Sequence, residues 1–261
     1  MYPELFHIGS LTIYSYGFFI LIGVIVAYFF VKKNAGVYQL NSEKVSELFL
    51  WCIAGVFGGG KLFFFFEKPG YYASHFSEFL TDLGSGFVFY GSFLTTIPIL
   101  IWWFRKNKLP VWDMFDLVGI GGAFVHAFGK IGCFMAGCCH GKVCHNSWGV
   151  IFSDPKSHAE PLNTALYPVQ LWDSAIIFLA IICMLYLKKR KHFSGQLFLI
   201  YGLWYALGRF ITENYRGDEE RGYLFNGALS HSQFIAILVF VSCAIIYFWR
   251  WKSAKKMEHR E

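Results

Sequence analysis

Three basic residues stand inside strongly apolar stretches: Lys61 in GVFGGGKLFFFF, Lys130 in VHAFGKIGCFMAG and Arg209 in LWYALGRFITENYR. A charge within a membrane span costs roughly 3 kcal/mol on insertion scales and usually faces a bundle interior, a partner or a substrate path. The chemistry such residues offer is recognition of an anion. Arg209 has Glu213 at i+4 and Tyr205 at i−4 on one helical face, a pattern that equally suits a purely structural ion pair. Lys61 and Lys130 have no acid within helical reach inside their stretches, although a lysine also has snorkelling open to it.

The elements that must hold these residues are membrane helices. Of the 261 residues, 56% are hydrophobic, 21% aromatic and 15% charged, and mean hydropathy is +0.43, whereas soluble domains carry about 25% charged residues. Spanning segments of about 20 residues are expected near 10–31, 46–66, 84–104, 114–137, 168–187, 194–213 and 229–249. The expected fold is therefore an all-α integral membrane protein of seven transmembrane helices forming one polytopic domain. The first stretch has no basic residue before it and Lys32 and Lys33 after it, so it reads as a retained span rather than a signal peptide.

Seven spans alternate the loops between two sides. One side collects Lys32, Lys33, Lys44, Arg105, Lys106, Lys108, Lys188 to Lys191, Arg250, Lys252, Lys255, Lys256 and Arg260. These are fifteen of the 23 basic residues; the other side has Lys68, Lys142, Lys156, Arg216 and Arg221, and three lie within spans. The positive-inside rule then places the N-terminus outside and the C-terminus in the cytoplasm. The net charge of +6 is explained by flanking charge at anionic lipid, without nucleic acid.

Orientation converts sequence position into depth at about 1.5 Å per residue. Lys61 lies six residues before Glu67, Lys130 seven before Gly137 and Arg209 seven before Arg216, so all three sit about 10 Å below the outer end. Tyr16, Tyr90 and Asp173 enter from the outside to about 9 Å, the same level on three other spans. Pro168 suits the first turn of the fifth span, and Gln170, two residues later, shares a face with Asp173. Gly58 to Gly60, Gly91, Gly129, Gly132 and Gly208 flank these side chains. Close helix packing explains them, and the same room admits a lipid.

The loop near residues 138–167 and the span end before it hold Cys133, Cys138, Cys139, Cys144, His140 and His145. Structural zinc sites favour C-x₂₋₄-C pairs, and C-x₄-C-C-x₄-C does not fit. A disulfide in an oxidising compartment is the expectation instead. Cys52, Cys183 and Cys243, inside spans, read as packing residues.

The order FYG (Phe89 to Gly91), G-K-I-G-C-F-x-x-G-C-C-x-G (Gly129 to Gly141), Y-P-x-Q-L (Tyr167 to Leu171) and G-R-F-x-x-E-x-x-R (Gly208 to Arg216) resembles the bacterial prolipoprotein diacylglyceryl transferase family. S-Y-G at Ser15 to Gly17 and S-x-x-Q at Ser230 to Gln233 extend the resemblance over nearly the whole chain. It implies a transferase of the bacterial cytoplasmic (inner) membrane, acting in the first step of lipoprotein maturation. The diacylglyceryl group of phosphatidylglycerol passes to the thiol of a lipobox cysteine in a prolipoprotein, and glycerol phosphate leaves. No cofactor and no metal are implied.

On that reading Arg209 is the main phosphate contact, Glu213 fixes it, and Lys130 and Lys61 support it. Tyr90 is donor or base. Tyr16, Gly91, Gln170, Asp173, Tyr205 and Arg216 line the substrate site. The chain departs from the family pattern in four places. Tyr90-Gly91-Ser92 replaces the start of an H-G-G-x-x-G motif, Lys130 and Lys61 stand where arginines are expected, and Cys133 stands where asparagine is expected. Lysine keeps the charge but loses the bidentate fork. His126, one turn before Lys130, is a second candidate base, though a lone histidine there also suits packing. A paralogue with another phospholipid or thiol acceptor, a non-catalytic lipid-binding protein and an anion transporter are the competing readings.

Overall fold

A computed structural model describes residues 1–9, 11–67, 69–75, 89–217, 222–225 and 227–258. Lys68, Arg221, Arg260 and the expected span start at 84–88 lie outside the described residues. So do the side chains of Phe89 and Tyr90. The chain is mostly helical: α1 Ser15–Asn34, α2 Ser42–Glu67, α3 Pro69–Ser74, α4 Phe89–Lys106, α5 Val111–Ala136, α6 Val169–Leu187, α7 Gln196–Thr212 and α8 His231–Glu258. Three small antiparallel pairs accompany them: β1 Glu4–Ile8 with β2 Leu11–Tyr14, β3 Val150–Ile151 with β4 Ala165–Leu166, and β5 Tyr223–Leu224 with β6 Leu229–Ser230.

Among the described residues, five helices are long and apolar enough to cross a membrane, in the segments Ser15–Tyr38, Ser42–Phe66, Val111–Ala136, Val169–Leu187 and His231–Lys256. The helices α4 and α7, of 18 and 17 residues, cover most of the remaining two expected stretches. α4 carries Pro98 in its interior, which a membrane helix tolerates when neighbours satisfy the freed backbone groups.

The chain divides into two compact units, Met1–Phe30 with Phe115–Glu261, and Val31–Met114. In the second unit Asn41 Oδ1 accepts the Lys44 N–H at 2.8 Å and caps α2. Glu47 Oε1 accepts the indole N–H groups of Trp103 at 2.8 Å and Trp51 at 3.3 Å. A Cβ added to Gly59 would lie 2.6 Å from the Gly91 carbonyl, and one added to Gly91 would lie 2.4 Å from Phe63 Cβ. These glycines are therefore accounted for by close approach of α2 and α4.

In the first unit Ile120, Ala123, Ala127, Ile177, Ile181, Met184 and Leu197 form the core of α5, α6 and α7, with Phe30, Phe124, Phe178 and Tyr201 around them. Asp116, buried in α5, accepts the backbone N–H groups of Gly195 at 2.9 Å, Leu197 at 2.8 Å and Phe198 at 3.1 Å. It thus supplies the orphan donors at the start of α7, and Lys191 balances its charge at 2.9 Å. Ser174 donates to the Ala127 carbonyl at 3.0 Å, and a Cβ on Gly208 would meet Ile176 Cγ2 at 2.7 Å, which sets α5 and α7 close against α6.

Candidate active site

Arg209 lies in the last turn of α7 and is only 8% exposed. Its Nη2 stands 2.5 Å from Glu213 Oε2 and donates to Ser232 Oγ at 3.1 Å. A short 3₁₀ turn, Glu213–Tyr215, then brings back Arg216, whose Nε is 3.9 Å from the same carboxylate oxygen. The other oxygen, Glu213 Oε1, accepts from Ser230 Oγ at 3.0 Å. Ser230 and Gln233 form a reciprocal capping box at the start of α8: Gln233 N–H donates to Ser230 Oγ at 3.1 Å and Ser230 N–H to Gln233 Oε1 at 3.0 Å. The S-x-x-Q motif therefore caps the start of α8 and holds the carboxylate that holds Arg209.

Lys130, on α5, places Nζ 2.6 Å from Asp173 Oδ2 on α6. Gln170, one turn before Asp173 and fully buried, donates from Nε2 to the Cys138 carbonyl at 2.8 Å. Its Oε1 is a buried acceptor with no hydrogen-bond donor among the described residues. A cavity of about 10 Å³ is bounded by Arg209, Asp173, His126, Tyr205, Gly208, Ile176 and Ile177. That is room for about one water. Asp173, Arg209 and Tyr205, from the expected site, thus meet around a single space.

The loop after α5 fixes this cluster through its backbone. Gly141 N–H donates to Tyr167 O at 3.0 Å, Lys142 N–H to Tyr215 O at 2.8 Å, and Gly217 N–H to His140 O at 3.1 Å. No side chain fits at Gly141, where an added Cβ would lie 2.5 Å from the Tyr167 carbonyl. The G-C-C-x-G run therefore clamps Tyr167 and the segment around Arg216 together. His140 is consumed there: Nδ1 lies 3.0 Å from the Gly141 carbonyl and Nε2 accepts the Glu160 N–H at 3.2 Å.

All seven cysteines are free thiols, so the disulfide expectation is not met. Cys144 bonds to Asn146 Oδ1 at 2.8 Å. Cys133, Cys138 and Cys139 instead bring their sulfurs within 4.8 Å of one another. Hydrogen bonds from Cys133 and Cys138, helped by Arg216 and Lys130, hold the Cys139 thiol below its usual range, while its contacts with Cys133 and Cys139, together with burial, push the Cys138 thiol up.

Comparison with known proteins decides the family. The model for prolipoprotein diacylglyceryl transferase matches residues 3–249. Similar curated proteins include the phosphatidylglycerol–prolipoprotein diacylglyceryl transferase of Clostridium tetani, 34% identical over 241 residues, covering 92% of this chain and 94% of that protein. The transferase 2 of Clostridium perfringens is also 34% identical over 241 residues, covering 92% of both. That of Lactobacillus acidophilus is 25% identical over 258 residues, covering 97% of this chain and 91% of that protein.

The chain belongs to the prolipoprotein diacylglyceryl transferase family.

Arg209, Glu213 and Arg216, the residues of the G-R-F-x-x-E-x-x-R run, are joined with Ser230 and Ser232 in one bonded group of the first unit. The departure at Lys130 is paired with Asp173, and the departure at Cys133 joins the three-sulfur cluster. Tyr16, 45% exposed, has its backbone 3.1 Å from where a Cβ on Gly132 would lie. His126 is 2.7 Å from the Tyr201 hydroxyl and packs edge-on against Tyr205. In the second unit, Lys61 Nζ lies 5.4 Å from the centre of the Phe64 ring, and Gly91 is pressed against Phe63. Tyr90 opens α4, its side chain outside the described residues. Sequence reading missed Ser232 and the buried Thr212, single hydroxyls without a periodic signal.

Proposed function

We propose that this chain transfers the diacylglyceryl group of phosphatidylglycerol to the thiol of a lipobox cysteine in prolipoproteins, at the outer face of the bacterial cytoplasmic membrane. The names of the relatives supply the substrates. The observation that carries the reading over to this chain is the charge of the first-unit cluster. Arg209 and Arg216 gather around Glu213, Lys130 is held by Asp173, and a small cavity bounded by Arg209 and Asp173 opens among these nearly buried groups. Guanidinium and ammonium groups fixed by carboxylates in a site drier than water suit the phosphodiester of a phospholipid, to which they donate charge-assisted hydrogen bonds.

The acceptor sulfur attacks the glyceryl carbon as a thiolate. A C–S bond forms and the C–O bond to phosphate breaks, its electron pair leaving with glycerol phosphate. Negative charge grows on the departing phosphate, where Arg209 stabilises it in a site drier than water. Glu213, held by Ser230, fixes the guanidinium; Lys130, Arg216 and Gln170 complete the polar lining, with Asp173 setting Lys130 and Tyr205 closing the apolar side. Tyr16, Tyr90, Gly91 and Lys61 keep the roles the family resemblance implies. In this reading seven spans run with the N-terminus outside, and the Arg209 cluster lies about 10 Å below the outer surface, near the junction of head group and acyl chain.

Purified protein is incubated with phosphatidylglycerol and a lipobox peptide, and the peptide is weighed by mass spectrometry. A mass gain of one diacylglyceryl group on cysteine is expected. An unchanged peptide beside an active family relative would sink the proposal, and a gain only with a different phospholipid would replace it with the paralogue reading.

A further inference from the structure

The spacing of Cys133, Cys138 and Cys139 argues against a shared ion, because neighbouring residues ordinarily point apart. The backbone removes that objection. Gly137 has φ +81° and Cys139, a non-glycine, has φ +60°. A left-handed conformation is uncommon for such a residue and marks a turn that its surroundings impose. Gln170 pins the Cys138 carbonyl within that turn at 2.8 Å. The result is three sulfurs within 4.8 Å of one another, none bonded to another. A disulfide engages two sulfurs; convergence of a third is what an ion requires.

We propose that Cys133, Cys138 and Cys139 form a three-thiolate site for one Zn²⁺ ion whose fourth position receives the acceptor thiol. Soft thiolates select zinc or copper(I) over hard cations. Three protein ligands with an open position are the pattern of catalytic rather than structural zinc. His140 and Cys144, the next ligand types along the loop, are otherwise engaged, His140 by Gly141 and Glu160 and Cys144 by Asn146. The site lies beside the phosphate cluster, since Cys133 follows Lys130 by one helical turn and Gln170 precedes Asp173 by one.

This inference rests on the transferase reading and supplies its missing step. A thiol that coordinates Zn²⁺ is deprotonated outright, its proton passing to water. The zinc-bound sulfur then attacks the glyceryl carbon, the C–S bond forms, and the C–O bond breaks with its electron pair going to the phosphate. The thioether product, a weak ligand, leaves the ion. No histidine base is needed, in a chain that has Tyr90 where the family pattern has histidine.

The full-length protein in detergent, reduced and then freed of reductant, is equilibrated with Zn²⁺ and its metal content measured by mass spectrometry. One zinc per chain is expected, with affinity falling about 100-fold or more in each of C133S, C138S and C139S. Titration of the unaltered protein with Cd²⁺, read by sulfur-to-metal absorption, guards against misfolded variants; saturation at one ion per chain is expected. Stripping zinc should abolish diacylglyceryl transfer, and adding it back should restore it. Absence of the cadmium band, a disulfide among the three cysteines, or undiminished transfer by the zinc-free protein would overturn the zinc site and leave the transferase reading intact. Zinc bound by a protein that transfers nothing to any thiol would overturn both.

Discussion

Asp116 and Asp173 are buried aspartates of the same unit, each paired with a lysine: Asp116 with Lys191 at 2.9 Å, Asp173 with Lys130 at 2.6 Å. Burial and ion pairing do not tell them apart. Their remaining partners do. Asp116 spends its other lone pairs on three backbone N–H groups at the start of α7, so both oxygens are filled by the scaffold. Asp173 borders a cavity shared with Arg209 and His126. A buried acid satisfied by backbone builds a fold, and one that shares a cavity with a basic residue from another helix builds a site. The same distinction separates Gly141, which only closes a backbone clamp, from Cys139 two residues earlier, which turns its sulfur into a cluster.

Substitutions break this comparison at defined points. The largest effect is expected from Arg209→Ala, which removes the charge proposed to meet the leaving phosphate and should cost about 10²–10³-fold in transfer rate. Asp173→Asn, which releases Lys130 from its position, should cost about 10²-fold in transfer per folded molecule. Asp116→Asn should leave transfer per folded molecule near the unaltered rate while lowering stability by about 1–3 kcal/mol, read by thermal unfolding in detergent. Equal loss of transfer in the two aspartate variants would erase the distinction. Ser230→Ala, which removes a helix cap and one hydrogen bond to Glu213, should cost about 1 kcal/mol of stability. Its transfer rate should fall less than that of Asp173→Asn.

Much of the site was legible because membrane insertion penalises charge. The depth register set Lys130 and Asp173 at one level on two different spans, and the structure pairs them. The i, i+4 relation tied Arg209 to Glu213. Periodicity and spacing carry no information on what neither encodes. Ser232 and Thr212 reach the cluster as single hydroxyls. Asp116 in VWDMFDLVGIGG carries no spacing signal either: the helix starts at Val111 and the acid caps residues 195–198. The convergence of the cysteines depends on the φ of Cys139, which no spacing rule contains. The small paired strands, short and without alternation strong enough to stand out among apolar runs, were likewise not expected.

The central claim is that the bond between glyceryl carbon and phosphate breaks at the buried cluster around Arg209. Release of glycerol phosphate from head-group-labelled phosphatidylglycerol, measured together with thioether formation on a lipobox peptide, tests it most directly. Equal amounts of the two products are expected from the unaltered protein and from Asp116→Asn, with both products lost together in Arg209→Ala and Asp173→Asn. Undiminished release of glycerol phosphate by a folded Arg209→Ala protein would contradict it.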